Sequence, residues 1–206
     1  MSLQERLFAA IYDPLSKGWE EKHGAKMKRG LLAHARGRVL EIGVGTGLSF
    51  SHYPDVDELV AVEPSEPMLR RARERAAALG REVTFVAAPV ETLPFGDASF
   101  DTVVVLAVLC TVEDPEQAVR EIHRVLRAGG HLLFLEHVRS SDPKRARWQD
   151  RLERPWGFVA GGCHPNRTTL QTIEAAGFEV DELEQGELPG QIRLASPYVL
   201  GAAVKT

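Results

Sequence analysis

The chain has 206 residues, about 1.4 times the ~150-residue domain prior, so one domain with additions is expected rather than two. Its 44% hydrophobic and 26% charged content excludes a disordered polymer, and a net charge of −4 argues against nucleic acid as a partner. Two cysteines, Cys110 and Cys163, cannot build a disulfide framework and find no partners at zinc spacing, so no metal site is read and a reducing, cytoplasmic compartment is expected. The N-terminus shows no secretory pattern, and the longest apolar run, Val103 to Cys110, is far shorter than the ~20 residues of a spanning helix. A soluble protein is expected, with peripheral membrane contact left open.

Residues 1 to 36 read as an amphipathic helical lid or cap, with Leu3, Leu7, Ala10 and Ile11 at helical spacing until Pro14 interrupts them. Its second half is basic, with Lys17, Lys22, Lys26, Lys28 and Arg29. From residue 37 the pattern alternates. Strands are expected at Val39 to Ile42, Leu59 to Val62, Val83 to Ala87, Asp101 to Leu109 and Leu132 to Glu136. Between them, Ser65 to Leu79 reads as a helix opened by a capping serine and closed by Gly80. Pro115 to Leu126 reads as another, with Gly129-Gly130 beyond its end. Lys144 to Trp156 and Thr168 to Ala176 are further candidate helices, and Phe178 to Val204 reads as two strands around Pro189-Gly190. Repeated β-then-α units of this length require a parallel sheet covered on both faces. The expected fold is α/β: a doubly wound, Rossmann-like, mostly parallel seven-stranded sheet with an antiparallel C-terminal hairpin, spanning residues 37 to 206.

The chemistry concentrates at Glu41-Ile42-Gly43-Val44-Gly45-Thr46-Gly47, directly after the first strand. Glycines there let the backbone turn sharply and approach a ligand at the sheet's carboxyl edge. Glu63, twenty residues after Gly43 and ending the second strand, is placed to accept the ribose hydroxyls of an adenosine. The glycines follow G-x-G-x-G rather than the dinucleotide G-x-G-x-x-G, and Glu41 precedes them. A pyrophosphate wants bare amides. A sulfonium carrying an ammonium group instead gains from the negative charge. Tyr12, Tyr53 and Tyr198 have no lysine four residues on, which further disfavours a nicotinamide-dependent oxidoreductase. S-adenosylmethionine fits better.

Leu40 to Gly47, Val62-Glu63-Pro64-Ser65 followed by Met68, Glu91-Thr92-Leu93-Pro94-Phe95, Ser99-Phe100-Asp101 and Glu121 to Gly130 resemble, in order, the class I SAM-dependent methyltransferases of the type 11 group. Leu109-Cys110-Thr111-Val112 and Leu135-Glu136-His137-Val138 resemble the methyltransferase-like proteins that methylate alkyl thiols. Bacterial phospholipid N-methyltransferases share the style of the first motif, and quinone-biosynthesis C-methyltransferases are a more distant relation. The resemblance implies that Glu41, Gly43, Val44, Gly45, Thr46 and Gly47 line the methionine end of the cofactor. It implies that Glu63 holds the ribose, with Pro64 and Met68 near the adenine. Where the family often has an adenine-binding Asp this chain has Pro89, so the backbone around Ala88, Val90 and Glu91 must substitute. Leu106 and Ala107 would offer carbonyls to the cofactor's ammonium.

Methyl transfer from a sulfonium needs alignment first and a deprotonated acceptor second. His137, with Glu136 beside it at the end of the fifth strand, is the first candidate for base or substrate contact; a strand-capping histidine is the plain alternative. His164, Asn166 and Arg167 lie in a polar, glycine-rich loop that could close over the acceptor, with Arg167 facing an anion, or simply lead into the next helix. Cys110 reads as packing more readily than as a nucleophile and counts with Tyr12, Trp156 and Arg167 as a candidate substrate contact, while Tyr12 and His23 matter only if the N-terminal segment folds over the cofactor. His123 reads as structural. Residues 139 to 156 carry six basic side chains against three acids, with Trp148, Leu152 and Trp156 at spacing four. That suits a helix resting on an anionic bilayer; a solvated helix whose tryptophans pack on the sheet is the simpler reading. The expected protein is a SAM-dependent methyltransferase, monomer or homodimer, acting on a small, apolar acceptor. A thiol is slightly ahead of a lipid, and a non-catalytic SAM-binding module is the alternative of another class.

Overall fold

The structure is a computed structural model describing residues 13–14 and 17–206. The amphipathic pattern at Leu3 to Ile11 and Tyr12 lie outside the described residues. A wide helical turn, Glu20–Gly24, runs into α1, Ala25–Leu32. The strands are β1, Arg38–Ile42; β2, Glu58–Val62; β3, Thr84–Val86; β4, Phe100–Leu106; β5, Leu126–His137; β6, Phe178–Glu187; and β7, Pro197–Lys205. The remaining helices are α2, Glu66–Ala78; α3, Pro115–Val125; α4, Pro143–Val159; and α5, Thr169–Ala175.

The seven strands form one sheet in the order β3-β2-β1-β4-β5-β7-β6, parallel through β5 and antiparallel for β7 and β6. The order reverses between β1 and β4. In such sheets that switch point opens a crevice at the carboxyl ends of the strands. The inner strands are buried on both faces: Leu40, Ile42, Val103, Val105, Leu132 and Phe134 face one core, and Val39, Ala61, Val104 and Leu133 the other. These continuous Val/Leu runs are what a doubly covered parallel sheet requires.

Local chemistry moves several expected boundaries. β4 ends at Leu106 rather than Leu109, because Ala107 turns to φ +58° and the Glu136 carboxylate captures the amides of the next three residues. α3 ends at Val125, and Leu126 is already extended, so Gly129-Gly130 lies inside β5 rather than before it. The pair forms an irregularity where the β4–β5 register jumps from Phe100↔Leu126 to Thr102↔His131, with Gly129 at φ +71°. At the start of α2, Ser65 occupies the cap position but its hydroxyl makes no capping bond; its amide goes to Glu63 instead. Asp114 does cap α3, accepting from the Gln117 amide. His123 packs edge-on against Phe178, in the structural role expected of it.

Candidate functional site

The glycine turn leaves β1 at the switch point. The amides of Gly43 and Val44 both donate to the Val62 carbonyl, at 2.8 and 3.1 Å, which ties the turn to the end of β2. Gly43, Gly45 and Gly47 all have positive φ. The reasons for glycine differ between them. A Cβ on Gly43 would strike the Val108 side chain, whereas at Gly45 the space beyond the backbone is open. The turn is therefore closed underneath and open on top, a cradle for a ligand that lies against bare backbone.

Glu63 faces this cradle. Its two carboxylate oxygens accept from the Gly45 amide at 3.0 Å and the Ser65 amide at 2.9 Å. One amide per oxygen leaves further lone pairs for a vicinal diol. Burial raises its pKa, and the two amides offset part of that. Glu41 is buried beneath the turn, where it accepts from the Ser49 hydroxyl at 2.8 Å. Burial pushes its carboxyl up to about 7, so it gains from the arrival of a cation.

The adenine-side candidates gather at the adjoining strand ends. Met68 is buried at the start of α2 and Pro64 is exposed beside it, while Ala88 and Val90 are buried on either side of exposed Pro89. Glu91 accepts from the Glu113 amide at 3.2 Å. On the other side of the switch point, Ala107 holds a positive φ that a non-glycine residue rarely adopts, and its amide donates to Leu135 at 2.7 Å. Such a residue at a strand end re-aims the backbone beside the crevice. The open turn, the diol acceptor and the buried acid together fit an adenosyl sulfonium.

The acceptor-side candidates lie at the carboxyl ends of β4 and β5. Glu136 is fully buried, and its oxygens accept from the amides of Val108, Leu109 and Cys110 at 2.8, 3.0 and 3.1 Å. Burial lifts its pKa to about 6 against the pull of those amides. His137 Nδ1 lies 3.4 Å from Cys163 Sγ and 4.0 Å from Cys110 Sγ. Burial works to lower His137, but Cys163 and Glu136 more than offset it and its pKa is raised. The neighbouring Cys110 thiol, then His137, hold Cys163 well below the ordinary thiol range, against its burial.

The loop after α4 is stapled to the loop after β4. The His164 amide donates to the Cys110 carbonyl at 2.7 Å, and its ring meets Glu153 at 2.8 Å. Arg167 donates to the carbonyls of Leu109 and Val112. A cleft beside it is lined by Leu109, Glu116, Glu153, Asn166, Arg167 and Thr172. Trp156 is partly buried, and its indole N–H is a buried donor that makes no hydrogen bond.

Sequence reasoning missed three features. Cys110, His137 and Cys163 are widely spaced in the chain, yet their sulfur and ring-nitrogen atoms lie within 4.8 Å of one another. Gln149 reads as one more polar residue in a basic helix, but it is fully buried and its amide N–H groups reach the carbonyls of Pro165 and Leu194. Asp13 accepts from the Thr46 hydroxyl at 2.6 Å and from Arg75 at 2.8 Å, which docks the N-terminal segment on the glycine turn. Pro14, next to Asp13, signals only a break in the helical pattern; nothing local announces the clamp.

A switch-point crevice with this turn and this pair of acids defines a SAM-dependent methyltransferase. A methyltransferase-domain family model matches residues 40–134, from β1 to the body of β5. Thiol S-methyltransferase TMT1B of Rattus norvegicus is 36% identical over 173 residues, covering 81% of this chain and 70% of that protein. Phosphatidylethanolamine N-methyltransferase of Cereibacter sphaeroides is 38% identical over 133 residues, covering 62% of this chain and 64% of that one. A solved SAM-dependent methyltransferase of Thermotoga maritima, described as a possible histamine N-methyltransferase, superposes with a TM-score of 0.69 at 24% identity over 97% of this chain and 98% of that one. The chain belongs to the SAM-dependent methyltransferase family, and S-adenosylmethionine is its methyl donor.

Proposed function

We propose that this enzyme transfers the methyl group of S-adenosylmethionine to the sulfur of a small, apolar thiol. When bound, the donor supplies a methyl group on a positively charged sulfur that leaves readily. Glu63 holds the ribose diol, Glu41 faces the charged methionine end, and the backbone at Gly45, Leu106 and Ala107 lines the path between them. Pro64, Met68, Ala88, Val90 and Glu91 enclose the adenine. What remains for the protein is alignment and exclusion of water.

The observation that carries the acceptor class is the state of Glu136. The carboxylate nearest the acceptor side is spent on three backbone amides and acts as a positioning residue. What is left is soft: one imidazole against two sulfurs. An alcohol or a carbon acid needs a strong base, whereas a thiol, with a pKa near ~8.5, needs only modest help. His137 is the acceptor-side group in this reading, with Cys110, Trp156, His164 and Arg167 around it. The similarity to thiol S-methyltransferases supports it. The test is S-adenosylhomocysteine release with a panel of alkyl thiols, amines and phenols: thiols are expected to turn over, and turnover confined to amines or phenols would refute the assignment.

The Asp13 clamp on Thr46 supports a capping role over the donor for the N-terminal segment, of which residues 1–12 and 15–16 lie outside the described residues. A second reading, lipid methylation at a membrane surface in the cytoplasm, draws on α4. Among the described residues no helix is long and apolar enough to cross a membrane. Yet Trp148 is 55%, Leu152 38% and Val159 69% exposed along one stripe of α4, flanked by Phe158 at 77% and by Lys144, Arg147, Arg151 and Arg154. The tryptophan at 148 does not pack on the sheet as the solvated alternative requires. An apolar stripe bordered by cations is the form of a helix that lies in an anionic interface. Peripheral docking there would deliver apolar thiols or lipids to the crevice.

A further inference from the structure

We propose that Cys110, His137 and Cys163 form a binding site for a thiophilic divalent cation, zinc by preference, whose open fourth position takes the acceptor thiol as a thiolate. The metal-binding half stands on geometry alone; the fourth-position half rests on the thiol-acceptor reading.

The ligand atoms are already gathered. Cys110 Sγ, His137 Nδ1 and Cys163 Sγ all lie within 4.8 Å of one another. Tetrahedral zinc, with Zn–S near ~2.3 Å and Zn–N near ~2.0 Å, sets an N···S edge of about 3.6 Å and an S···S edge of about 3.8 Å. The two N···S separations here, 3.4 and 4.0 Å, bracket that edge. The N···S edges need shifts of only a few tenths of an ångström, and the S···S separation, within 4.8 Å, closes by side-chain rotation.

The frame that holds these atoms is rigid and comes from three places. Glu136 pins the Cys110 amide, His137 ends β5, and the loop bearing Cys163 is tied back when the His164 amide donates to the Cys110 carbonyl. Two sulfurs and an imidazole are a soft donor set that selects zinc over magnesium or calcium. Glu136 is not among the groups whose ligand atoms converge here; its carboxylate is turned to the amides of residues 108–110. Three protein ligands with one vacant position is the arrangement of a catalytic rather than a structural zinc site.

The chemistry balances. When the cation binds, the Cys110 thiol proton and the proton held between Cys163 and His137 leave to solvent, and the acceptor thiol gives its own proton to solvent on taking the fourth position. The thiolate sulfur then forms a bond to the methyl carbon as the donor's sulfur–methyl bond breaks, with that electron pair staying on the donor sulfur. The product is a thioether, a weak ligand, and it departs.

The experiment uses the full chain, purified under reducing conditions, stripped with a chelator and titrated with zinc and with cobalt(II). The expected result is about one equivalent bound per chain, with thiolate-to-cobalt charge-transfer absorption. Cys163→Ser and His137→Ala should each weaken binding by at least about a hundredfold while donor affinity, read by calorimetry, shows that the variants remain folded. Binding below a tenth of an equivalent by the folded wild type, or a Cys110–Cys163 disulfide persisting under reductant, would overturn the site. Adding an alkyl thiol to the cobalt form should shift its ligand-field bands. Unshifted bands, with cobalt bound and S-methylation intact, would overturn the fourth-position role and leave the thiol-acceptor reading standing.

Discussion

The Thr46 hydroxyl donates to one oxygen of Asp13, while Arg75 grips the other oxygen and also donates to the Thr46 carbonyl at 2.6 Å. Asp13 is thus hooked onto the glycine turn proposed to cradle the donor. Of these contacts only Asp13 with Arg75 is an ion pair, Thr46 joining through its neutral hydroxyl, and Asp13 and Arg75 are each about a quarter exposed. Solvent screening keeps such a pair to about 1 kcal/mol. Asp13→Ala is therefore expected to speed donor dissociation by roughly three- to tenfold, measured by stopped-flow, with little change in melting temperature. Equal dissociation rates would show that the segment does not retain the donor.

Glu63 joins the cradle to α2 and is the residue proposed to hold the ribose diol. Glu63→Gln keeps the shape but replaces one of the two oxygen acceptors with a donor. Hydrogen bonds to a charged group contribute about 1.5–3 kcal/mol, so donor affinity should fall about ten- to a hundredfold by calorimetry. Unchanged affinity would remove Glu63 from the ribose site.

The pH dependence of stability follows from Glu41. Its folded pKa of about 7 exceeds the ordinary 4.5, so its contribution to stability is full below 4.5 and is lost as pH rises through 7. Glu41→Gln removes that loss. In the absence of donor the variant should be more stable than the wild type above pH 8, by up to about 3 kcal/mol, and the gap should close toward pH 5. Denaturant midpoints across that range check this; parallel curves would contradict it. Donor affinity should fall in the same variant.

The exposed stripe of α4 makes a separate claim. Wild-type protein should sediment with vesicles rich in anionic lipid at low salt, and Trp148→Ser combined with Phe158→Ser should abolish this while leaving donor binding intact. Equal recovery in the supernatant with and without vesicles would end the membrane reading.

What the sequence made legible was what is local or periodic. The Val/Leu runs at residues 39–42 and 103–106 announced the sheet, and the glycine turn and the acid at 63 pointed to the crevice where they meet, because strand burial and tight turns write themselves into neighbouring residues. The β4 boundary was not legible: what stops the strand is Glu136, on another strand, reaching across to residues 108–110. The same holds for Gln149, whose burial depends on loops at residues 138, 165 and 194. The cysteine–histidine group is hidden for the same reason, since only the fold brings residues 110, 137 and 163 together. A capping serine at residue 65 was legible but misleading, because Pro67 at the second helical position offers no N–H to its hydroxyl and the cap bond is not made.

The direct measurement is product analysis by mass spectrometry with labelled S-adenosylmethionine, offered an alkyl thiol in one reaction and phosphatidylethanolamine vesicles in another. A methyl thioether formed in equal amount with S-adenosylhomocysteine, at a rate that collapses in Glu63→Ala, is the predicted outcome. Label appearing only in the lipid headgroup, with every thiol left unmethylated, would contradict it.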